Sequence, residues 1–280
     1  MKKYQKQSGM TVDAEYEEEQ GNPFFEALPE ILGKEEVMKR LRSQIPYPKD
    51  IQKMSPEERR REVMEISKWF YPMDYMYTIY DMLYRAMSAT YQTKNIVDHI
   101  RQMNDLYMDF RTGREREFQY ATQAYTGAVL GVPGIGKTST VQRCLSLMPQ
   151  VIVHTNYGGK PMYTKQINYL FVECPSDCSV RTLAFNIFSA IDRAIGSDYL
   201  KQATYQRAVA ASATTTKLKI ICMNHHIGLI VIDEIQNAIQ TAVKNRQLKP
   251  LVKFLVELTN ETSTGICFCG TMEAEDLFMS

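Results

Sequence analysis

From residue 128 onward, short apolar runs alternate with stretches whose apolar residues recur at helical spacing. Uninterrupted apolar runs are typical of strands buried in a sheet, and the helical spacing is typical of helices that cover such a sheet. This alternation predicts a three-layer α/β/α domain built on a parallel sheet. The predicted strands are 128–131, 151–154, 167–173, 229–233 and 265–270, and the predicted helices are 137–148, 179–195, 199–225 and 247–260.

One pair of predicted strands departs from this parallel arrangement. The strands 151–154 and 167–173 flank a Gly-Gly-Lys-Pro turn. Because glycine and proline favour a reversal of the chain, the sequence predicts an antiparallel hairpin of these two strands.

The chain before residue 116 has a different pattern. Residues 1–21 are polar and predict a disordered tail. Residues 22–115 predict an N-terminal helical region that precedes the α/β domain of residues 116–280. Within that region the sequence predicts a docking segment rather than a helix at 22–29 and a helix at 34–44. A further predicted helix begins at the Ser55 cap and has an apolar face of Val63, Ile66 and Phe70. An antiparallel helix pair is predicted at 76–87 and 96–110.

A glycine-rich turn joins the strand at 128–131 to the helix that follows it. Its glycines would let backbone N–H groups surround a phosphate, and the helix N-terminus adds partial positive charge there. Lys137 is expected to reach the β- and γ-phosphates of a bound nucleotide, and the Thr138 hydroxyl is expected to bind Mg²⁺. The alternative is a glycine turn that fits by chance. The residues that fit the G-x-x-x-x-G-K-[ST] phosphate loop are Gly131, Val132, Pro133, Gly134, Ile135, Gly136, Lys137 and Thr138, and Ser139 follows as a further candidate contact.

A second motif lies about a hundred residues downstream, where an aliphatic run ends in two carboxylates, Asp233 and Glu234. The carboxyl ends of parallel strands open into the crevice where ligands bind in α/β sheets. Asp233 is expected to help hold Mg²⁺, and Glu234 is expected to orient and deprotonate the attacking water. The alternative is a strand that ends in an acidic helix cap, which the phosphate loop makes less attractive. Hydrolysis is the predicted chemistry.

A third candidate is Thr271, which follows the buried strand 265–270. In P-loop ATPases whose central strand stands between the two motif strands, a side chain at this strand end senses the γ-phosphate. Thr271 is the candidate for that role. The alternative is an ordinary cap for residues 272–275.

The composition sets few further limits. The chain has 280 residues, of which 44% are hydrophobic, and a net charge of +1, so no global basic surface indicates nucleic acid. No apolar stretch has the length of a membrane span and the start lacks a signal-peptide core, which favours the cytoplasm. The six cysteines do not form a zinc pattern and are predicted to be reduced, buried thiols.

The order of phosphate loop, Asp-Glu strand end and polar strand tip resembles that of an AAA+ ATPase. Four further segments have a distinctive sequence: 22–29 (Asn-Pro-Phe-Phe-Glu-Ala-Leu-Pro), 169–174, 183–199 and 228–236. In these segments, and over the chain from about residue 22 to its end, the sequence resembles the TnsC-type regulators of target-selecting bacterial transposons. This resemblance implies a P-loop NTPase fold of the AAA+ type.

The resemblance also implies a function. TnsC-type proteins bind ATP, assemble as rings or filaments around duplex DNA and connect a target-selecting protein to the transposase, and hydrolysis dismantles the assembly. The implied partners are therefore duplex DNA, transposase subunits, a target-selection protein and further copies of this chain. Contacts to the DNA backbone carry no sequence readout, and each candidate could equally be a solvated surface residue. These candidates are Ser179, Arg181, Lys160, Lys165, Lys244 and Arg246.

The chain stops at Ser280, soon after Thr271. An AAA+ module normally continues with a fifth strand, an arginine finger and a helical lid. The expectation is therefore either a fragment of a longer product or a shortened member that relies on a partner, with the strand 128–131 at a sheet edge and with weak hydrolysis. Two other functions stay open: another DNA-associated AAA+ ATPase, of initiator-like or defence type, and a nucleotide-stabilised adaptor that does not hydrolyse ATP.

Overall fold

The computed structural model describes residues 10–16, 21–44, 50–92, 104, 108, 111–112, 124–177, 179–205, 211–237 and 248–275. Its strands are β1 (Thr11–Asp13), β2 (Thr126–Leu130), β3 (Val151–Tyr157), β4 (Lys160–Ile167), β5 (Tyr169–Glu173), β6 (Leu229–Asp233) and β7 (Gly265–Gly270). Its helices are α1 (Pro23–Glu26), α2 (Lys34–Leu41), α3 (Pro56–Glu65), α4 (Asp74–Gln92), α5 (Lys137–Leu145), α6 (Val180–Ile195), α7 (Tyr199–Tyr205), α8 (Ala211–Asn224) and α9 (Leu248–Thr262).

The larger sheet is parallel and has the strand order β2-β7-β6-β5. The predicted bounds of β6 and β7 are confirmed, and both strands are buried along their whole length. That burial explains why neither strand shows alternation of polar and apolar residues. Because β2, β7 and β6 are parallel neighbours, their carboxyl ends lie together at one edge of the sheet.

Helices cover both faces of this sheet, which confirms the predicted three-layer α/β/α arrangement. Successive residues of β6 point to opposite faces: Leu229 and Val231 contact the core beneath α4 and α5, whereas Ile230 and Ile232 contact the core beneath α6, α8 and α9. Each face of β6 is therefore buried against helices. Within the described residues, β2 is an edge strand, as predicted.

The predicted hairpin of 151–154 and 167–173 is wrong. The hairpin partner of β3 is β4, which pairs with it antiparallel, and β5 belongs to the parallel sheet. Gly158 and Gly159 form the turn, with φ of 59° and 70°, in a region that glycine adopts readily. The turn was recognised in the sequence, but the half-exposed strand that follows it was not, because its polar residues read as a loop.

The N-terminal segment is more ordered than the sequence suggests. The sequence predicts a tail over residues 1–21, whereas β1 pairs in parallel with β3. The segment predicted as a docking stretch rather than a helix begins with α1, which Asn22 caps by accepting a hydrogen bond from the Phe25 amide at 3.2 Å. Proline at the first helical position has no amide hydrogen to lose, which favours this start.

The helix predicted from the Ser55 cap is confirmed as α3, with a complete capping box between Ser55 and Glu58. Its predicted apolar face is wrong for Val63 and Ile66, which are each 61% exposed, whereas Phe70 packs against the core beside α4. By contrast α4 buries the predicted stripe of Met76, Tyr80, Leu83 and Met87. Its predicted partner at 96–110 lies almost wholly outside the described residues.

The other helices differ from prediction mainly at their ends. The predicted helix 34–44 ends at Leu41, 137–148 ends at Leu145, and 247–260 runs from Leu248 to Thr262. The long helix predicted at 199–225 is described as α7 and α8, with residues 206–210 outside the described ranges. None of the helices described is long and apolar enough to cross a membrane.

Gly228, at the start of β6, offers a test of the sheet packing. A Cβ atom there would lie 2.7 Å from the Asn168 carbonyl oxygen and 2.7 Å from the Tyr91 hydroxyl. Because backbone cannot yield easily, we expect Gly228→Ala to lower the free energy of unfolding by about 1–3 kcal/mol. Chemical denaturation would measure this loss. Gly33→Ala, where a Cβ meets nothing within 4 Å, is the matched control, and an equal loss in both variants would contradict the packing argument.

Candidate functional site

The loop between β2 and α5 has the backbone conformation of an anion cradle. Gly134 and Gly136 have φ of 79° and 86°, values that residues with a Cβ rarely adopt. Gly136 is the N-cap of α5 and contributes no side chain to accept from the first amides of that helix. These N–H donors are therefore left to a ligand, and the helix dipole favours an anion at the same point.

Lys137 lies folded over this loop. Its Nζ donates to the Val132 carbonyl at 2.9 Å, and its stem passes beside Gly131, where an added Cβ would meet the Lys137 Cδ at 3.4 Å. The ammonium group is thus held at the mouth of the cradle by one neutral acceptor. A phosphate would offer that group a stronger, charge-assisted hydrogen bond.

The two sequence motifs meet in space through Thr138 and Asp233. The Thr138 hydroxyl donates to Asp233 Oδ2 at 2.7 Å, although 95 residues separate the two positions. Asp233 is 4% exposed, and its other oxygen accepts from the Glu234 amide at 2.9 Å. A buried carboxylate is costly unless it is hydrogen-bonded, and here both oxygens have a donor.

Glu234 follows β6 with a φ of 56°, which is unusual for a residue other than glycine. This backbone turn directs the chain out of the sheet immediately after Asp233. The Glu234 carboxylate then accepts a hydrogen bond from the side-chain amide of Gln236. Strained backbone of this kind is often found at functional sites.

Thr271 lies at the end of β7, between the ends of β2 and β6. Its Oγ1 is buried and makes no hydrogen bond with any described part of the chain. Its amide, by contrast, donates to Gln236 Oε1 at 3.0 Å. A buried hydroxyl without a partner costs free energy, and a ligand oxygen at this edge would satisfy it.

Two cysteines of β7 lie beneath this edge. Burial, and next the charge of the Asp233 carboxylate, raise the pKa of the Cys269 thiol, and burial raises the pKa of Cys267 to about 12. Both are therefore neutral thiols at physiological pH. The predicted burial is confirmed for the described cysteines, which are Cys144, Cys174, Cys222, Cys267 and Cys269.

Residues 120–278 match the sequence model of the AAA domain family, and this match covers more than half of the chain. The chain belongs to the AAA domain family. A search of curated proteins finds no match. Family membership and the parallel α/β sheet together establish the P-loop NTPase fold and support nucleotide binding by this AAA domain.

The residues at the edge of the AAA domain sheet fit a magnesium–nucleotide complex. Mg²⁺ prefers oxygen ligands and commonly takes one or two from the protein, keeping water and phosphate oxygens for the rest. The Thr138 hydroxyl and the Asp233 carboxylate are in mutual contact and would offer two such oxygen ligands. The cradle amides and the unsatisfied Thr271 hydroxyl lie at the same sheet edge, where phosphate oxygens would be placed.

The residues that the sequence suggested for contacts with DNA do not form one patch. Ser179 is the N-cap of α6 and accepts from the Thr182 amide at 3.3 Å, and Arg181 lies over the Phe185 ring. Lys165 donates to the Ile195 carbonyl at the opposite end of α6, about 21 Å away at 1.5 Å per residue.

The remaining candidates for DNA contact are Lys160, Lys244 and Arg246. Lys160 is exposed at the start of β4, next to the hairpin turn. Lys244 and Arg246 lie outside the described residues. The candidates in the described part of the chain therefore lie at the start of α6 and on the β3–β4 hairpin.

Sequence reasoning missed Gln236. This side chain is 8% exposed and touches both Glu234 and the backbone of Thr271. The sequence does show a polar residue two positions after the Asp-Glu pair, close enough along the chain to contact it. Its partner on β7 was not visible, because that contact depends on the strand order.

Proposed function

We propose that this AAA domain protein binds ATP with Mg²⁺ and hydrolyses it at the sheet edge formed by the ends of β2, β6 and β7. The observation that carries the proposal is the 2.7 Å contact between Thr138 and Asp233, which joins the phosphate loop to the acidic strand end. A glycine turn or an acidic helix cap that arose by chance would have no reason to meet the other motif.

Each residue at this edge has a defined task in the proposed reaction. The backbone N–H groups of residues 134–136 bind the phosphates, and Lys137 leaves the Val132 carbonyl for the β- and γ-phosphate oxygens. Glu234 orients the attacking water and accepts its proton. The Thr271 hydroxyl contacts the γ-phosphate. Mg²⁺, when bound by Thr138 and Asp233, supplies neutralisation of the phosphate charge.

We further propose that ATP occupancy controls assembly of this protein on duplex DNA during transposition. In this proposal the ATP-bound chain oligomerises on DNA and links a target-selection protein to transposase subunits, and hydrolysis disassembles the complex. Support comes from the resemblance of segments 22–29, 169–174, 183–199 and 228–236 to TnsC-type regulators.

The first of these segments has a structural role that fits the proposal. Phe24 is buried, and its ring stacks on His226 with centroids 3.8 Å apart. The Asn22 side chain donates to the Tyr91 carbonyl at the end of α4. The segment thereby joins the N-terminal helical region to the AAA domain, so a change on one side can reach the other.

The proposed contacts with DNA predict a strong dependence on salt. Binding that neutralises phosphates releases counterions, and the logarithm of affinity falls with the logarithm of salt concentration by about 0.9 per phosphate contact. We expect a clear negative slope in a fluorescence-anisotropy titration with duplex DNA and a slowly hydrolysed ATP analogue.

A variant separates the contributions of the proposed DNA contacts. Arg181→Ala is expected to reduce the slope by about one unit, whereas Lys201→Ala, an exposed lysine on α7, serves as the matched control. A flat salt response would reject backbone binding and leave only the nucleotide-dependent function.

A further inference from the structure

Gln236 occupies the space between the acidic strand end and the tip of β7. It lies two residues after Glu234, at the start of the chain segment that leaves β6, and is almost fully buried. Its Nε2 donates to the Glu234 carboxylate, and its Oε1 accepts from the Thr271 amide at 3.0 Å. One side-chain amide therefore bonds to two residues that we place in contact with the reacting groups.

The neighbouring strand is shaped to admit this amide. Gly270 precedes Thr271, and a Cβ atom at Gly270 would lie 2.5 Å from Gln236 Oε1 and 2.9 Å from Ile235 Cγ2. A carbon atom does not approach a non-bonded oxygen or carbon atom so closely. The glycine at the end of β7 is thus the reason that the Gln236 side chain can cross to that strand.

The two hydrogen bonds of the Gln236 side chain form a bridge between the ends of β6 and β7. β6 and β7 pair in parallel up to Ile232 and Phe268, and beyond that register their ends continue without backbone pairing between Glu234 and Thr271. The left-handed turn at Glu234 carries its backbone away from the sheet, with φ of 56°. The Gln236 amide therefore supplies a connection that the backbone does not.

We propose that Gln236 is a positioning residue that couples the γ-phosphate contact at Thr271 to the orientation of the Glu234 carboxylate. This inference rests on the proposed hydrolysis. When Thr271 moves toward a phosphate oxygen, its amide carries the Gln236 oxygen with it, and the same amide group turns the Glu234 carboxylate toward the water. Gln236 itself touches neither nucleotide nor water.

Two substitutions separate the halves of this bridge. Gln236→Glu keeps an acceptor for the Thr271 amide but replaces the donor to Glu234 with a second carboxylate. Gln236→Met has similar length and removes both hydrogen bonds. A misplaced catalytic group commonly costs about a hundredfold in rate, so we expect each variant to lower kcat by roughly ten- to a hundredfold with KM changed less than about threefold.

Hydrogen–deuterium exchange at the Thr271 amide provides a readout that does not need turnover. We expect faster exchange in Gln236→Met than in the wild-type chain, and near wild-type protection in Gln236→Glu, which keeps the acceptor. Gly270→Ala should resemble Gln236→Met, because its Cβ would displace the Gln236 oxygen. Glu35→Gln, on the exposed surface of α2, is the control.

The two readouts distinguish this inference from the proposed function. Unchanged exchange at Thr271 in Gln236→Met, or wild-type kcat in Gln236→Glu, would overturn the coupling. A parallel loss of kcat, nucleotide affinity and Thr271 protection in Gln236→Glu would also overturn it, because that result describes a residue that only supports the fold. A wild-type chain without ATP turnover would reject the proposed hydrolysis, whereas exchange at Thr271 would still decide whether the bridge exists.

Discussion

Replacing Lys137 by alanine is expected to weaken ATP binding by roughly ten- to a hundredfold, since a hydrogen bond to a charged group contributes about 1.5–3 kcal/mol. The ammonium group lies at the mouth of the glycine loop, where its partner is a backbone carbonyl, so a phosphate can take it at little cost. If ATP occupancy controls assembly, the same variant should also fail to form complexes on DNA. Equilibrium binding of a fluorescent ATP analogue and gel filtration with duplex DNA would measure the two effects.

The Lys137 substitution has a control of the same chemistry. Lys201→Ala removes an exposed lysine from α7 and should leave both measurements unchanged. Comparable thermal stability of the two variants would exclude unfolding as the cause. If Lys137→Ala still assembled on DNA in response to ATP, the assignment of the phosphate loop would be wrong.

Glu234→Gln is expected to lower the rate of ATP hydrolysis by about a hundred- to ten-thousandfold, which is the usual contribution of a general base. Glutamine keeps the size of the side chain but cannot accept the proton of the attacking water. Nucleotide binding should survive, because the cradle, Lys137 and the Thr138–Asp233 pair are untouched. Single-turnover hydrolysis would measure the rate, and the lifetime of DNA complexes should lengthen in proportion.

The matched control for this variant is Glu35→Gln, which removes an exposed carboxylate on α2. It should hydrolyse ATP at the wild-type rate. Disassembly of Glu234→Gln complexes at the wild-type rate in the presence of ATP would reject hydrolysis as the step that ends the DNA-bound state.

The two central strands of the parallel sheet, β6 and β7, were predictable because they are buried on both faces. β6 and β7 have the predicted bounds, since an apolar run between polar residues has few other interpretations. β4 was missed because it is exposed on one face and carries lysine, threonine and glutamine. The burial of Val63 and Ile66, at the end of α3, was predicted wrongly for the opposite reason. Their helical spacing is typical of a buried face, but spacing does not show whether another element packs against them.

The site was predictable to the extent that its residues share a local motif. The glycine loop, Lys137 and Thr138 are contiguous, and Asp233 and Glu234 end a recognisable strand. Gln236 acquires its role only from the strand order, which places the tip of β7 beside the end of β6. The same limit applies to Cys269, whose thiol lies close enough to Asp233 for that carboxylate to raise its pKa.

The most direct test of the account is titration calorimetry of the folded chain with a slowly hydrolysed ATP analogue and Mg²⁺. We expect a saturable binding heat that weakens when a chelator removes the metal and is largely lost in Lys137→Ala. A folded wild-type chain that produced no binding heat with the analogue and Mg²⁺ would contradict the account at its centre.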